Sequence, residues 1–202
     1  MENTQRAIGL LRQQALSYGI DPHEIGVIGF SAGAYLAANM SNTEDRTYSL
    51  ADAADRQSPR PDFAIVAYTA RMLDSSRGRN SLELRPYVTI SPKAPPTMIL
   101  HAMNDPMDAV RPPMAYALAL SDAGVPIDLR LYAKGGHAFG MRPTADLLRG
   151  NGRDRSNNGC TASACCDASE SGRSALHQTR TFTADTHRIL HQAMPRFQRL
   201  QA

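Results

Sequence analysis

The sequence Ile-Gly-Val-Ile-Gly-Phe-Ser-Ala-Gly spans Ile25–Gly33, and the rest of the chain is interpreted outward from it. Its first part is a short apolar run with the length of a buried strand. Its second part is a G-x-S-x-G pattern centred on Ser31. The residues that follow, 34–40, are typical of the start of a helix. A strand that turns sharply into a helix, with a serine at the turn, is the arrangement called a nucleophile elbow. The pattern therefore predicts an exposed Ser31 hydroxyl at the carboxyl end of a strand.

The glycines of this pattern have a steric reason. A side chain at Gly29 or Gly33 is expected to collide where the strand and the helix cross, and Ser31 is expected to adopt a strained backbone conformation. A serine hydroxyl is a weak nucleophile until a neutral imidazole can accept its proton, and that imidazole needs a carboxylate at its other nitrogen. An Asp or Glu and then a His are therefore expected further along the chain.

The composition is that of a globular chain, since 42% of the 202 residues are hydrophobic and 20% are charged. The net charge of +3 is not gathered into a Lys/Arg block and aromatic residues make up 6%, so no nucleic-acid partner is expected. No apolar run has the length of a membrane span, so no membrane partner is expected either. The N-terminus lacks the features of a signal peptide, which leaves the cytoplasm as the default localisation.

Strands and helices alternate along the chain, which predicts an α/β fold with a mostly parallel sheet and flanking helices. The predicted strands after the first are Phe63–Tyr68, Thr97–Ala102 and Ile127–Tyr132. Residues 42–62 are predicted to form a surface loop with one helical turn. Residues 70–96 are too many for a simple connection, so a helix or lid segment that shapes a pocket is expected there.

Two further helices are predicted from apolar spacing and stop signals. The first is capped by Asn3 or Thr4 and ends at Gly19. The second begins at Pro112-Pro113 and ends at Gly124. The apolar positions of the first helix are Ala7, Ile8, Leu11 and Ala15.

The chain is predicted to divide near residue 143. Residues 1–143 are predicted to form the core. Residues 144–202 are predicted to form a polar, partly disordered tail, in which a C-terminal helix is one option. The spacing of the tail's cysteines, together with His177, matches no usual zinc pattern, so free thiols are expected and no metal or other cofactor. These cysteines are Cys160, Cys165 and Cys166.

Two polar residues follow predicted strands. Asp105 comes after the third strand, and His137 lies between glycines after the fourth. The carboxyl ends of parallel strands meet at one edge of a sheet, so Ser31, Asp105 and His137 are expected to lie together there. The neighbouring glycines permit a tight turn that directs the histidine ring back toward the sheet. Asp108 competes with Asp105 as the carboxylate that pairs with the second nitrogen of the histidine.

A family resemblance rests on four stretches of the chain, which are Tyr18–Pro22, Ile25–Gly33, His101–Asp105 and Gly124–Gly140. Together they resemble the α/β-hydrolase superfamily. Within it they are similar to the bacterial esterase group that includes acetyl xylan esterases and dienelactone-hydrolase-like enzymes. The resemblance extends from Thr4 to Met141.

The resemblance implies hydrolysis of a carboxylic ester through an acyl-enzyme, with a small-molecule ester such as an acetylated sugar as the substrate. It makes Ser31 the nucleophile, Asp105 the acid and His137 the base. The backbone N–H of Ala32 would be one donor of the oxyanion hole. Peptidase or thioesterase chemistry on the same residues stays open, because nothing in the sequence separates the acyl classes.

The sequence departs from the family in its N-terminal part. Members of the family have several strands before the nucleophile strand, and a loop of the His-Gly-Gly-Gly type donates a second oxyanion N–H. The present sequence starts at the helix before the elbow and is interpreted as an N-terminally truncated α/β-hydrolase fold. The alternative function is therefore a non-catalytic or weakly active remnant of a hydrolase, or a subunit that needs a partner to complete the sheet and the oxyanion hole.

The first strand, Ile25–Phe30, is apolar on both faces and is expected to lie at a sheet edge. Each of its backbone groups costs about 1–3 kcal/mol if it is buried without a partner. A second copy that pairs edge to edge, giving a homodimer, is favoured as the neighbour. The tail around Thr179–Leu200 is the other option, but it has few β-branched residues and its spacing is helical.

Overall fold

A computed structural model describes residues 1–78 and 80–139 of the chain. These residues form a four-stranded parallel sheet with the strand order β1-β2-β3-β4, so the predicted α/β fold is confirmed. The strands are β1 (Gly26–Phe30), β2 (Phe63–Ala67), β3 (Thr97–Ala102) and β4 (Ile127–Tyr132). The helices are α1 (Glu2–Gln13), α2 (Ala15–Tyr18), α3 (Ala32–Asn42) and α4 (Arg111–Asp122).

Parallel pairing places the carboxyl ends of all four strands at one edge of the sheet. Val27 of β1 lies opposite Ala64 of β2, and Leu100 of β3 lies opposite Arg130 of β4. The main core packs α3 and α4 against the sheet, and each large apolar side chain buried there contributes about 1.5–3 kcal/mol. Its fully buried members include Ala37, Ala38, Val66, Ile99, Tyr116 and Leu120.

Proline and glycine stand at helix ends where they were predicted, but the first predicted helix is divided at Gln14 into α1 and α2. α4 begins at Arg111, so that Pro112 and Pro113 lie in the first turn, where a missing N–H breaks no helical hydrogen bond. The chain leaves α4 through Gly124 at a φ of 77°, and it leaves α2 through Gly19 at a φ of 65°. Both are left-handed conformations, which glycine adopts without a steric penalty.

The predicted start of α1 is wrong. The helix begins at Glu2 and has no side-chain cap, so neither Asn3 nor Thr4 is its N-cap. The predicted apolar face is also only half right. Its buried members are Ile8 and Ala15, and its exposed members are Ala7 and Leu11.

The buried face of α1 is instead partly polar. Gln5 and Arg12 are both buried in this helix. The Gln5 amide nitrogen donates to the carbonyl oxygen of Asp45 at 3.0 Å, and an Arg12 guanidinium nitrogen donates to the carbonyl oxygen of Arg60 at 2.8 Å. These acceptors come from loops far along the chain, so helical periodicity did not reveal that polar side chains would be buried here.

The strand β1 lies at the edge of the sheet within the described residues, where β2 is its neighbour. Its position at an edge was expected, but it is more exposed than its apolar sequence predicted. Ile28 is 38% exposed, so the strand is not covered on both faces.

Residues 70–96 contain less regular structure than expected. Their described part holds a 3₁₀ turn at Ser75–Arg77 and a single bridge between Leu73 and Leu84, where a helix or lid segment was predicted. The one-turn helix expected in residues 42–62 is the 3₁₀ turn Ala53–Arg56. No helix in residues 1–78 and 80–139 is long and apolar enough to cross a bilayer. The tail 144–202, with its cysteines and the C-terminal helix predicted there, lies outside the described residues.

A buried carboxylate ties α1 to the loop after α3. The Asp55 side chain has no exposed surface and accepts hydrogen bonds from the Tyr48 hydroxyl at 2.7 Å, the Ala51 N–H at 2.8 Å and the Arg6 guanidinium at 2.8 Å. The Tyr48 hydrogen bond is the largest influence. It lowers the pKa of Asp55 to about 2 against the opposing effect of burial, with further help from the Ala51 N–H and Arg6.

This cluster predicts a specific loss of stability in acid. A carboxyl whose pKa is lowered by folding stabilises the native state above its ordinary value, and this contribution disappears as the pH falls through the folded value. For Asp55 the loss falls between about pH 4 and pH 2. We expect Asp55→Asn to lower the thermal unfolding midpoint at neutral pH and to flatten its decline between pH 4 and pH 2. An equally steep decline in both proteins would contradict this assignment.

We propose that the edge of β1 that has no strand beside it among residues 1–78 and 80–139 pairs with the same edge of a second copy. The Ser31 N–H donates to the Ala67 carbonyl oxygen, and partners alternate along a parallel strand, so the N–H groups of Ile28 and Phe30 face outward. A charge on an edge strand opposes such pairing. We expect the unmodified chain to sediment as a dimer and Ile28→Lys to sediment as a monomer.

The matched control for the edge variant is Leu16→Lys, which makes the same change at a side chain of α2 that is 94% exposed. It should leave the dimer intact. Sedimentation velocity at several protein concentrations measures both variants. A wild-type monomer, or equal dissociation by both substitutions, would show that β1 does not form the interface.

Candidate active site

Ser31 occupies the sharp turn between β1 and α3. Its φ of 52° and ψ of −117° lie in a region that residues other than glycine rarely adopt. Gly29 makes the turn possible, because a Cβ there would lie 2.1 Å from the carbonyl oxygen of Gly33. At Gly33 a Cβ would meet no described atom within 4 Å. The expected collision is therefore right for Gly29 and wrong for Gly33, whose backbone is the obstacle and whose own side-chain position is open.

His137 links this turn to the loop after β3. Its Nε2 lies 3.1 Å from Ser31 Oγ, and its Nδ1 lies 2.8 Å from Asp105 Oδ2. The His137 side chain is 16% exposed and the Asp105 side chain is fully buried. When Nδ1 donates its proton to the carboxylate, the Nε2 lone pair faces the serine hydroxyl, as a general base requires. The structure thus brings the three predicted residues into one hydrogen-bonded row.

The carboxylate of Asp105 is held by its own loop. Its Oδ1 accepts the N–H of Met107 at 2.8 Å and the N–H of Asp108 at 3.1 Å. Burial by itself would raise the pKa of Asp105. The hydrogen bonds from His137 and from these two N–H groups outweigh that effect and hold the pKa below its ordinary value. The group is therefore ionised at neutral pH and acts as an acceptor.

Asp108 lies near the same ring at a greater distance. Its Oδ2 is 3.7 Å from His137 Nδ1, against 2.8 Å for Asp105, and its side chain is 22% exposed. The backbone of Asp108 is fixed by His101, whose Nε2 lies 3.1 Å from the Asp108 carbonyl oxygen. A carbonyl oxygen can only accept, so His101 Nε2 donates this bond. Burial lowers the pKa of His101, which favours the neutral ring. Of the two candidate carboxylates, Asp105 is the one within hydrogen-bond distance of His137.

Ala32, the predicted oxyanion donor, is the first residue of α3 and directly follows Ser31. The first N–H groups of a helix have no acceptor within the helix, and they carry the partial positive charge of its N-terminus. A backbone N–H in this position can stabilise negative charge that develops on an acyl group bound to Ser31.

An aromatic wall beside His137 was not predicted from the sequence. The ring of Tyr68 meets the His137 ring edge-on at a centroid distance of 5.0 Å, and it meets the Phe139 ring at 5.1 Å. Tyr68 is buried and has a positive φ of 42° directly after β2. Its position at the carboxyl end of a strand was the available signal, since residues there face the site.

A second residue that was not singled out is Asn104. Its Oδ1 accepts the N–H groups of Gly135 and Gly136, each at 2.9 Å. It therefore joins the loop that carries Asp105 to the loop that carries His137. Its place directly before the candidate acid was the one hint in the sequence.

The described residues contain no group of three or more His, Cys, Asp or Glu side chains that could hold a metal ion. The cysteines Cys160, Cys165 and Cys166, and the nearby His177, lie outside the part of the chain that the structure describes.

The parallel sheet, the serine at a strained strand-to-helix turn and the histidine that reaches it together define an α/β hydrolase. A family model described as the prolyl oligopeptidase family matches residues 8–147. The chain belongs to this family.

Named relatives agree with the resemblance to esterases. The chain is 26% identical over 157 residues to endo-1,4-beta-xylanase B of Butyrivibrio fibrisolvens, a match that covers 69% of this chain and 24% of that protein. It is 25% identical over 158 residues to an acetylxylan esterase of Xylanibacter ruminicola, covering 69% of this chain and 31% of that protein. The chain thus spans about a quarter to a third of the curated relatives that it matches.

A solved structure gives the same result. The acetyl ester-xyloside bifunctional hydrolase of Caldicellulosiruptor lactoaceticus is 30% identical, with a TM-score of 0.56. The match covers 68% of this chain and 56% of that one. The expected membership in the α/β-hydrolase superfamily, near acetyl xylan esterases, is confirmed.

The two glycines of the elbow predict opposite responses to one added methyl group. In Gly29→Ala the new Cβ would meet backbone atoms that cannot rotate away. We expect a loss of about 2–3 kcal/mol in the free energy of unfolding, measured by chemical denaturation. Gly33→Ala should stay within about 1 kcal/mol of the unmodified chain, because it adds a good helix former in open space. Equal destabilisation by both variants would contradict the close crossing of β1 and α3.

Proposed function

We propose that this chain carries the reacting residues of a serine esterase that cleaves small acyl esters, including acetyl groups on sugars, through an acyl-enzyme. The hydrogen-bonded row from Ser31 through His137 to Asp105 is the observation that carries the proposal. Two relatives bear the names acetylxylan esterase and acetyl ester-xyloside hydrolase, which supports acetyl esters as the substrate class.

The first step forms the acyl-enzyme. Ser31 Oγ attacks the ester carbonyl carbon while its proton moves to His137 Nε2, and the carbonyl oxygen becomes an oxyanion near the Ala32 N–H. The tetrahedral intermediate then collapses. The bond to the alcohol oxygen breaks, and His137 returns the proton to that oxygen, so a neutral alcohol leaves.

The second step restores the enzyme. A water molecule gives its proton to His137 Nε2 and attacks the acyl carbon. The bond to Ser31 Oγ breaks, Oγ takes the proton back, and the carboxylic acid is released. No oxidant, reductant or metal enters either step, so atoms and charge balance within the residues named.

Asp105 is assigned the role of stabilising the imidazolium that forms in both steps. Its oxygens are already held by His137 and two backbone N–H groups, so little reorganisation is needed when the positive charge appears. The pKa of Asp105 is held below its ordinary value, which keeps the carboxylate ionised at neutral pH. The ionised state favours Asp105 as an anion that stabilises His137 at Nδ1 and not as a second proton donor.

The proposal predicts covalent labelling of one serine. An alkyl fluorophosphonate should add to Ser31, with loss of fluoride, and the modified peptide is identified by mass spectrometry. Ser31→Ala should abolish the label because the attacking oxygen is gone. Ser17→Ala is the matched control, since it removes an exposed hydroxyl from α2 and should leave labelling unchanged.

The acyl class is decided by a substrate panel on the same protein. Acetyl esters, including acetylated xylo-oligosaccharides, should be hydrolysed faster than butyryl esters, thioesters or peptides. Faster cleavage of a peptide or thioester would replace the esterase assignment while keeping the reacting residues. A folded chain that neither takes the label nor turns over any of these substrates would favour a non-catalytic remnant.

A further inference from the structure

We propose that Asn104 is a positioning residue that sets the direction of the His137 ring. The inference rests on the proposed function, because it concerns the same reacting row. Its observation is separate, however, since it lies in the contact between two loops and not in the row itself. The Asn104 side-chain oxygen accepts the consecutive N–H groups of Gly135 and Gly136, each at 2.9 Å.

The two contacts settle which atom of the amide faces the loop. Both partners are backbone donors, so only the carbonyl oxygen of the side chain can satisfy them. A carbonyl oxygen has two lone pairs and can accept both bonds at once. Two successive N–H groups directed at one oxygen fix the orientation of the intervening peptide plane. The peptide that joins Gly135 to Gly136, one residue before His137, is therefore held from outside its own loop.

The loop needs such a hold because its backbone is unusual on both sides of the histidine. Gly136 has a φ of 66° and Ala138 has a φ of 57°. Glycine reaches this region freely, but alanine does so at a cost, so the segment does not settle into this shape through local preference. Contacts from neighbouring elements must select it. Asn104 provides two of them at the side that precedes the ring.

The position of Asn104 makes the hold useful for the reaction. Asn104 directly precedes Asp105, and the Asp105 N–H donates to the Ala102 carbonyl oxygen at the end of β3. The residue that fixes the histidine loop therefore stands on the same short turn as the carboxylate that the ring must meet. The relative position of these two loops determines how His137 meets its two partners. His137 lies 2.8 Å from Asp105 and 3.1 Å from Ser31.

Three variants separate positioning from simple stability. Asn104→Ala removes the acceptor, and Asn104→Gln moves it outward by one methylene. Both should therefore release the His137 loop from its position beside the Asp105 loop. Asn104→Asp keeps an oxygen at the same distance from the backbone and should retain the position of the His137 loop. Asn3→Ala makes the same truncation at an exposed position of α1 and serves as the control.

The direct readout is the proton on His137 Nδ1, observed by NMR in protein labelled with ¹⁵N-histidine. We expect a downfield, slowly exchanging signal in the unmodified chain, in Asn104→Asp and in Asn3→Ala. We expect that signal to broaden or disappear in Asn104→Ala and Asn104→Gln. The rate of fluorophosphonate labelling should fall about tenfold to a hundredfold in the same two variants, because small displacements of a reacting group have effects of that size.

The outcomes are distinguishable. An unchanged Nδ1–H signal in Asn104→Ala or Asn104→Gln would overturn the inference, and so would a failure of Asn104→Asp to restore it in folded protein. If Asn104→Ala does not fold, Asn104→Gln gives the same decision. If the unmodified chain takes no label, the proposed function fails, but the comparison of Nδ1–H signals still decides the role of Asn104.

Discussion

The site depends on one close crossing of backbone, at the point where β1 becomes α3. The strand turns into the helix with Gly29 so near Gly33 that no side chain fits between them. Ser31 stands in this turn with a strained backbone of positive φ, and the surrounding elements must stabilise that conformation. The strand is held by β2, and the helix is held by the main core. The strain at Ser31 is therefore maintained by packing distributed over the whole described domain.

The order of the strands explains why each loop contributes what it does. β3 and β4 are neighbours, so the loops that carry Asp105 and His137 lie side by side and can be tied together by Asn104. β2 separates these loops from Ser31, and it contributes Tyr68 at its carboxyl end, where the ring packs against His137. The ring thus has an anion at one nitrogen, the serine at the other and an aromatic edge beside it. Each contact comes from a different strand end.

The sequence predicted what depends on local pattern and missed what depends on distant partners. The bounds of β3 and β4 match the prediction because prolines mark where both strands begin. β3 is a mostly apolar run, and β4 alternates apolar and charged residues, which is the pattern of a strand. The proximity of Ser31, Asp105 and His137 was predictable because parallel strands bring their carboxyl ends together. The buried polar face of α1 was missed because Gln5 is satisfied only by residues about forty positions away. Asn104 was missed for the same reason, since its partners stand on another loop.

In the described part of the chain, β1 is an edge strand and leads directly into Ser31. Whatever pairs with this edge therefore also determines what stands beside the serine. A strand added parallel to β1 would bring its carboxyl end, and the loop after it, next to Ser31. That arrangement could supply an N–H opposite the one of Ala32. A copy paired by a twofold axis would run antiparallel and bring the segment before its own β1 to that point. The two arrangements therefore differ in chemistry as well as in assembly. In the first, the neighbouring strand completes the oxyanion hole, whereas in the second it covers the edge and leaves stabilisation of the oxyanion to the N-terminus of α3.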